Sequence, residues 1–272
     1  KMHLSILRTI EAVISRLRWA TPQAYDNAKD FFDTGITWSN SLNVAQMLDK
    51  SSYSISLGNT HQDGIISSTG MDRYNVKVSA DTKLTNNWSS GFTANYITTS
   101  IDKAVTSGNG LLRTVYAAPP SYDLAGIPSH VDGNPYTQNS FRGSFDNAYW
   151  AMENNKFTED TNRFFGNVYA SYQTDFGTTN HKLNAKYMVG VDAYTTHYVD
   201  SYGYGSNTGG GRGQIENYGW TNATYNSLLT INYDWRINED WGLNAVLGNE
   251  IIQSNRKKYY EYGTNYNFPG WN

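Results

Sequence analysis

The clearest order in this chain is strict alternation of polar and apolar residues. Between Arg73 and Leu84, one set reads Arg73, Asn75, Lys77, Ser79, Asp81 and Lys83, and the other reads Tyr74, Val76, Val78, Ala80, Thr82 and Leu84. A repeat of two places these sets on opposite faces of a β-strand, one wet and one greasy. A slip of one residue would carry Lys77 and Asp81 onto the apolar side, so the register is strongly specified.

The same repeat returns along the chain. Ile36, Trp38, Leu42 and Val44 alternate with Thr37, Ser39, Ser41 and Asn43, and Tyr53, Ile55 and Leu57 with Ser54, Ser56 and Gly58. Trp88, Phe92, Ala94 and Tyr96 mark a further greasy face, as do Phe164, Val168, Ala170, Tyr172 and Phe176. Leu183, Ala185, Tyr187, Val189 and Val191 form another, followed by Ala223, Tyr225, Leu229, Ile231, Tyr233 and Trp235, and last by Trp241, Leu243, Ala245 and Leu247. Together they predict about eight strands, most of them long.

The connections alternate in length. Short turns are expected at Asp49-Lys50, Asn86-Asn87, Gly177–Asn180 and Asn238–Asp240. Long loops are expected over Thr60–Asp72, Asp102–Asn162 and the Gly-rich Ser201–Glu216. Short turns on one side and long loops on the other are the layout of an outer-membrane barrel. Beside the short turns stand Tyr53, Trp88, Phe176, Trp235 and Trp241, which predict an aromatic girdle at the periplasmic interface. The predicted fold is therefore all-β, a transmembrane antiparallel β-barrel segment. A self-contained eight-stranded barrel and a soluble, aromatic-rich carbohydrate-binding module remain as alternatives.

Composition sharpens this picture. Aromatic residues make up 15% of the 272 residues and charged residues only 17%, against about 25% charged in an ordinary globular chain. Mean hydropathy is −0.61, a value that says little where wet and greasy residues alternate and cancel. A net charge of −3 leaves no basic footprint for nucleic acid, and the absence of cysteine removes thiolate metal sites. Leu4, Ile6, Leu7, Ile10, Val13, Ile14 and Leu17 recur at helical spacing and predict a short amphipathic helix, packed on the protein or on a membrane surface. The chain closes on Phe268-Pro269-Gly270-Trp271-Asn272 without a terminal strand, which suggests a piece of a longer polypeptide.

Several runs carry a resemblance. Lys50-Ser-Ser-Tyr-Ser-Ile-Ser-Leu57 is followed by Gln62-Asp-Gly-Ile-Ile-Ser-Ser-Thr-Gly-Met-Asp-Arg-Tyr-Asn75. Later, Asn147-Ala-Tyr-Trp-Ala-Met-Glu-Asn-Asn-Lys156 leads into Asp160-Thr-Asn-Arg-Phe-Phe-Gly166, and Asp30-Phe-Phe-Asp-Thr-Gly35 precedes the first strand. In this order they resemble the SusC/RagA-type TonB-dependent transporters, over roughly residues 25 to 272. The chain departs from that family's pattern at Ala148, where proline is common, and at Ala45-Gln-Met-Leu48, which replaces a Ser-Gly-Gly run. The resemblance implies eight consecutive strands of a roughly 22-stranded, plugged barrel; residues 1–30, of which 1–24 carry no such resemblance, read as a helical or loop segment before it. It further implies import of oligosaccharides or peptides, a SusD-like surface lipoprotein as lid, and energy from TonB. The family's plug and TonB-engaging motif are not among these residues.

Candidate chemistry is sparse. His3, His61, His130, His181 and His197 are isolated, and no HExxH, Walker A, G-x-S-x-G or dinucleotide fingerprint occurs. No metal or cofactor is expected, nor enzymatic activity; Glu159 and Asp160 read as a solvated pair in a loop. Gly209-Gly-Gly-Arg-Gly213 lacks the Lys-Ser/Thr of a phosphate loop and reads as a flexible surface loop. Arg256-Lys257-Lys258, at the long-loop end of a strand, is either a lipopolysaccharide contact or a solvated strand end. The best functional candidate is the long loop 102–162, because loops beyond ~12–15 residues are uncommon unless functional or disordered. There Tyr149 and Trp150, with Asn147, Asn154 and Asn155, offer aromatic faces and amides suited to a sugar or peptide. The competing reading is that these aromatics fold the loop onto its neighbours.

Overall fold

The computed structural model describes residues 21–105 and 110–270, so the helix expected over residues 4–19 lies outside the described residues. A short helix α1 (Asn27–Phe31), capped by Asp26, precedes strands β1 (Thr37–Met47), β2 (Ser51–Asp63), β3 (Gly70–Lys83) and β4 (Trp88–Lys103). The next connection carries helix α2 (Leu111–Ala117), a ribbon of β5 (His130–Val131) and β6 (Asn134–Gln138), and helix α3 (Ala148–Asn154). Four longer strands follow: β7 (Lys156–Thr174), β8 (His181–Tyr202), β9 (Gln214–Arg236) and β10 (Gly242–Thr264).

Eight of these strands form one antiparallel sheet in the order β1-β2-β3-β4-β7-β8-β9-β10. The sheet is not closed: β1 and β10 are its two edges. An eight-stranded barrel complete within these residues is thereby excluded. The register gathers the greasy residues as the alternation predicts. Leu42 lies opposite Leu57, Leu57 opposite Val76, Val76 opposite Tyr96 and Tyr96 opposite Phe164. The row structure continues through Val168–Val189, Ala185–Ile231 and Ile231–Leu247. One face is thus apolar across all eight strands. Among the polar groups that lie on it, Ser227 Oγ donates to the Tyr187 hydroxyl (3.0 Å).

The opposite face is laced by side-chain hydrogen bonds between strands. Asn43 donates to Ser56 (2.6 Å), Ser54 and Ser79 meet at 2.7 Å, and Arg163 forks the Asp192 carboxylate at 2.8 and 2.6 Å. Tyr169 on β7 reaches across β4 to donate to Asp81 on β3 (2.6 Å). The intervening residue is Gly91, and a Cβ there would stand 2.2 Å from Asp81 Oδ1 and 2.8 Å from the Tyr169 ring. The bond therefore exists because Gly91 has no side chain.

All four short turns form where polar turn residues predict them. Thr85 Oγ1 accepts from the backbone of Asn87 (3.2 Å) and Trp88 (3.0 Å), Asp175 Oδ1 from Gly177 (2.9 Å), and Asn238 Oδ1 from Asp240 (3.0 Å) and Trp241 (2.8 Å). These side-chain caps mimic a backbone turn and stop each strand. The long loops are shorter than expected. β2 runs to Asp63 and β3 begins at Gly70, so residues 64–69 alone connect them; the other two connections span 104–155 and 203–213. The reason is that backbone pairing continues through His61, Gln62, Asp72 and Asp102 without needing apolar side chains. The strands lengthen across the sheet, from 11 residues in β1 to 23 in β10. With their turns at one end, the later strands stand tall at the other.

Gly91→Val is expected to separate Tyr169 from Asp81 and destabilise the full-length protein by about 1–3 kcal/mol, read from its urea midpoint. Tyr169→Phe, which deletes the bond without crowding β4, is expected to cost less. Equal stability of Gly91→Val and wild type would contradict this role for the glycine.

Candidate functional site

The only tightly buried cluster among the described residues lies at the long-loop end. Phe31 of α1, Ile66 of the 64–69 turn, Leu111 and Val115 of α2, Leu124, and Ala148, Trp150 and Ala151 of α3 pack together. Each helix is too short to be stable alone, so this cluster holds them. It explains how residues 110–155 of this connection keep a defined shape above the sheet.

The loop residues expected to meet a ligand all lie in or beside this assembly. Asn147 is the N-cap of α3: its Oδ1 accepts from the backbone of Tyr149 (3.0 Å) and Trp150 (3.2 Å), and its Nδ2 donates to the Asn139 carbonyl (2.9 Å). Trp150 is 0% exposed, and its indole donates to the Pro135 carbonyl (2.6 Å). Tyr149 is half-buried, edge-on to Phe31 at 5.3 Å, with its hydroxyl donating to the Asp30 carbonyl (3.3 Å). Burial, and then the carboxylates of Asp30, Asp33 and Asp123, raise its phenol above the ordinary value. Asn154 donates to the Trp150 carbonyl (3.0 Å), and Asn155 accepts from the Gly203 backbone (2.9 Å). These two asparagines also line an open hollow of about 470 Å³ with Asp102, Lys103, Glu153 and Lys156. Ala148 occupies the first helical position, where proline is well accommodated. The alanine therefore keeps the backbone that a proline would take.

Asp146, which sequence reasoning passed over, ties two loops together. Its buried carboxylate accepts from Gln138 Nε2 (2.7 Å), Ser206 Oγ (2.5 Å), and the backbone (2.7 Å) and side chain (2.8 Å) of Asn207. Gln138 in turn donates to the Gly205 carbonyl (2.8 Å) and accepts from the Asn147 backbone (2.7 Å). The first part of the glycine-rich segment 203–213, residues 203–207, is thus hydrogen-bonded down onto the 104–155 loop. Gly205 (φ +101) permits this, since a Cβ there would stand 2.1 Å from the Tyr136 carbonyl oxygen.

A second feature also went unforeseen. On the polar face, the tall ends of β8–β10 become aromatic. Tyr198 stacks on Tyr218 (4.8 Å, 6°) and leans on Trp220 (5.5 Å). Tyr260 lies opposite Tyr218, and Tyr262 opposite Glu216. Lys103 sits over the Tyr198 ring (4.5 Å) and pairs with Glu159 (3.3 Å), while Tyr218 donates to Asp200 (3.0 Å). The available signal was a change of parity. Aromatics at odd positions, such as Tyr187 and Tyr225, give way to even ones, Tyr198, Tyr218 and Trp220.

At the short-turn end, Tyr53, Trp88 and Trp235 lie on the apolar face, with Trp88 against Tyr172 (5.0 Å) and Trp235 stacked on His181 (5.6 Å). Phe176 and Trp241 stand in the turns themselves, Phe176 at φ +54 beside Gly177. Among the described residues, no group of three or more His, Asp or Glu is placed to hold a metal ion.

No protein-family model and no curated protein matches this chain. Its fold is similar to solved structures of the RagAB peptide importer. In the closed-closed state the TM-score is 0.71 at 16% identity, and in the open-open state 0.70 at 16%. A third structure, of the RagAB peptide transporter, gives 0.68 at 16%. The matches cover 90% of this chain but only 27–28% of those chains, so the chain spans roughly a quarter of their length. They show the fold: an open eight-stranded segment like part of a transporter barrel.

Asp146→Ala leaves buried donors on Gln138, Ser206 and Asn207 without their acceptor, and is expected to destabilise by about 2–3 kcal/mol. Limited proteolysis of the full-length protein should then cut within 203–213 faster than in wild type. Unchanged cleavage there would show that the carboxylate does not hold the loop.

Proposed function

We propose that the chain is part of the wall of an outer-membrane β-barrel importer of the SusC/RagA type. The observation that carries this reading is the continuous apolar face. From Tyr74 to Leu84 it spans eleven residues, a rise of ~33 Å along the strand. At the ~40° tilt of a membrane barrel strand that is ~25 Å, the height of a lipid-facing band. Exposed Trp38, Leu42, Val44, Leu247 and Ile251, at 57–65% accessibility, extend the band to both edge strands. A soluble module would hold that surface in water, where contiguous patches of this size are avoided. Free edges on β1 and β10 would join further strands of the barrel.

In this reading residues 31–272 are wall and overlying loops, and the polar face lines the lumen. Tyr53, Trp88, Phe176, Trp235 and Trp241 form the periplasmic girdle, and Lys257, on the apolar face at the other end, reaches lipopolysaccharide. The assembly built on the 104–155 loop lies outside, where a SusD-like lipoprotein would close over it. Tyr149, Asn154 and Asn155 are then the ligand-facing members of the predicted set, with Asn147 and Trp150 holding the helix that presents them. Substrate is a peptide or oligosaccharide, and release requires TonB acting through parts of the protein beyond these residues.

Val78→Arg places a charge in the middle of the band and is expected to cost about 2–4 kcal/mol on refolding into phospholipid vesicles. Thr93→Arg, on the opposite face, should cost under about 1 kcal/mol. Cells lacking the full-length protein should lose uptake of labelled peptide or oligosaccharide, and the protein should co-purify with a surface lipoprotein. Equal tolerance of the two arginines, with uptake intact in the deletion strain, would overturn the importer reading.

A further inference from the structure

The basic run Arg256-Lys257-Lys258 is divided by the sheet. Lys257 belongs to the apolar face, whereas Arg256 lies opposite Asn222 and Lys258 opposite Trp220, both on the polar face. The Arg256 guanidinium rests over the Trp220 ring at 4.7 Å. Among the described residues, neither Arg256 nor Lys258 is within ion-pair distance of a carboxylate. Two acids at this end of the polar face are already engaged: Glu159 on β7 pairs with Lys103, and Asp200 on β8 accepts from Tyr218. Glu216 lies opposite Tyr262, about 13 Å along the strand from Lys258. The buried indole nitrogen of Trp220 has no hydrogen-bond partner.

From this juxtaposition we infer that Arg256, Lys258 and Trp220 form a subsite for a carboxylate-bearing ligand on the lumenal wall. The inference rests on the importer reading and names the substrate class. A guanidinium stacked on an indole keeps its edge N–H groups free to fork a carboxylate in the plane of the stack. Lys258, two residues along the same face and about 7 Å away, supplies a second positive charge. The same chemistry accepts a peptide terminus, an acidic side chain or a uronic sugar.

The test uses the full-length transporter in detergent, in which β10 has its neighbour, titrated calorimetrically with three probes: triglutamate, trigalacturonate and the uncharged N-acetyl-triglutamine amide. At least one acidic probe should bind about tenfold or more tightly than the uncharged one, with the preference fading as salt is raised. Binding of triglutamate alone marks a peptide carboxylate, and of trigalacturonate alone an acidic sugar. The double variant Arg256→Gln/Lys258→Gln should abolish the preference, Arg256→Lys should keep part of it, and Lys257→Gln should leave it intact. Should the double variant fail to fold, Arg256→Lys alone carries the test. An acidic preference that survives these changes would overturn the subsite. So would equal binding of all three probes, which leaves the importer reading standing. Binding of none of them would also overturn the subsite, and the uptake assay above then judges the importer reading separately.

Discussion

Register is the constraint on which this sheet depends. In each of its strand pairings, a shift of one residue would exchange the two faces. Lys77, Asp81 and Arg163 would then stand among Val76, Val78 and Phe164. The turns guard against this from one end, because Thr85, Asp175 and Asn238 cap the backbone with their own side chains. The polar face guards against it from the other side, through bonds such as Tyr169–Asp81 and Arg163–Asp192 that only one register allows. The apolar face adds few such bonds, Ser227–Tyr187 and His181–Tyr233 among them. Its contribution is that every wrong register exposes it to charge.

The long-loop end is built on different physics. There α1, α2 and α3 pack around Trp150 as a small conventional core, and Asp146 ties the glycine-rich loop to it. The ordering of these loops costs conformational entropy, which the four hydrogen bonds accepted by the buried carboxylate help to offset. The aromatic, charged shelf on β8–β10 lies between the rest of the sheet and this assembly.

Local signals made the sheet legible and hid the loops. Eight strands and four turns could be placed because alternation and turn chemistry are written within a dozen residues, as from Tyr74 to Leu84. Strand ends were placed short, because His61–Asp63 and Lys156–Asn162 read as polar loop, with Phe157 the one apolar side chain among them, and their pairing does not depend on alternation. The core around Trp150 draws on Phe31 and Ile66, far away in sequence, and periodicity does not report such contacts. Asp146 meets Ser206 across 60 residues and nothing in either neighbourhood announces it. Trp150 and Asn147 were singled out as ligand groups; their aromatic and amide groups are spent on folding α3, a use that their residue types alone do not separate from ligand binding.

The central claim, that the apolar face meets lipid, is tested most directly along β8. The chain contains no cysteine, so single cysteines can be introduced from Leu183 to Ala193 in the full-length protein and spin-labelled in bilayers. A lipid-facing wall predicts collision with oxygen at positions 183, 185, 187, 189, 191 and 193, and access to a water-soluble nickel chelate, or to neither, at the positions between. Absence of that two-residue alternation, or ready access of the chelate to the odd positions, would contradict it.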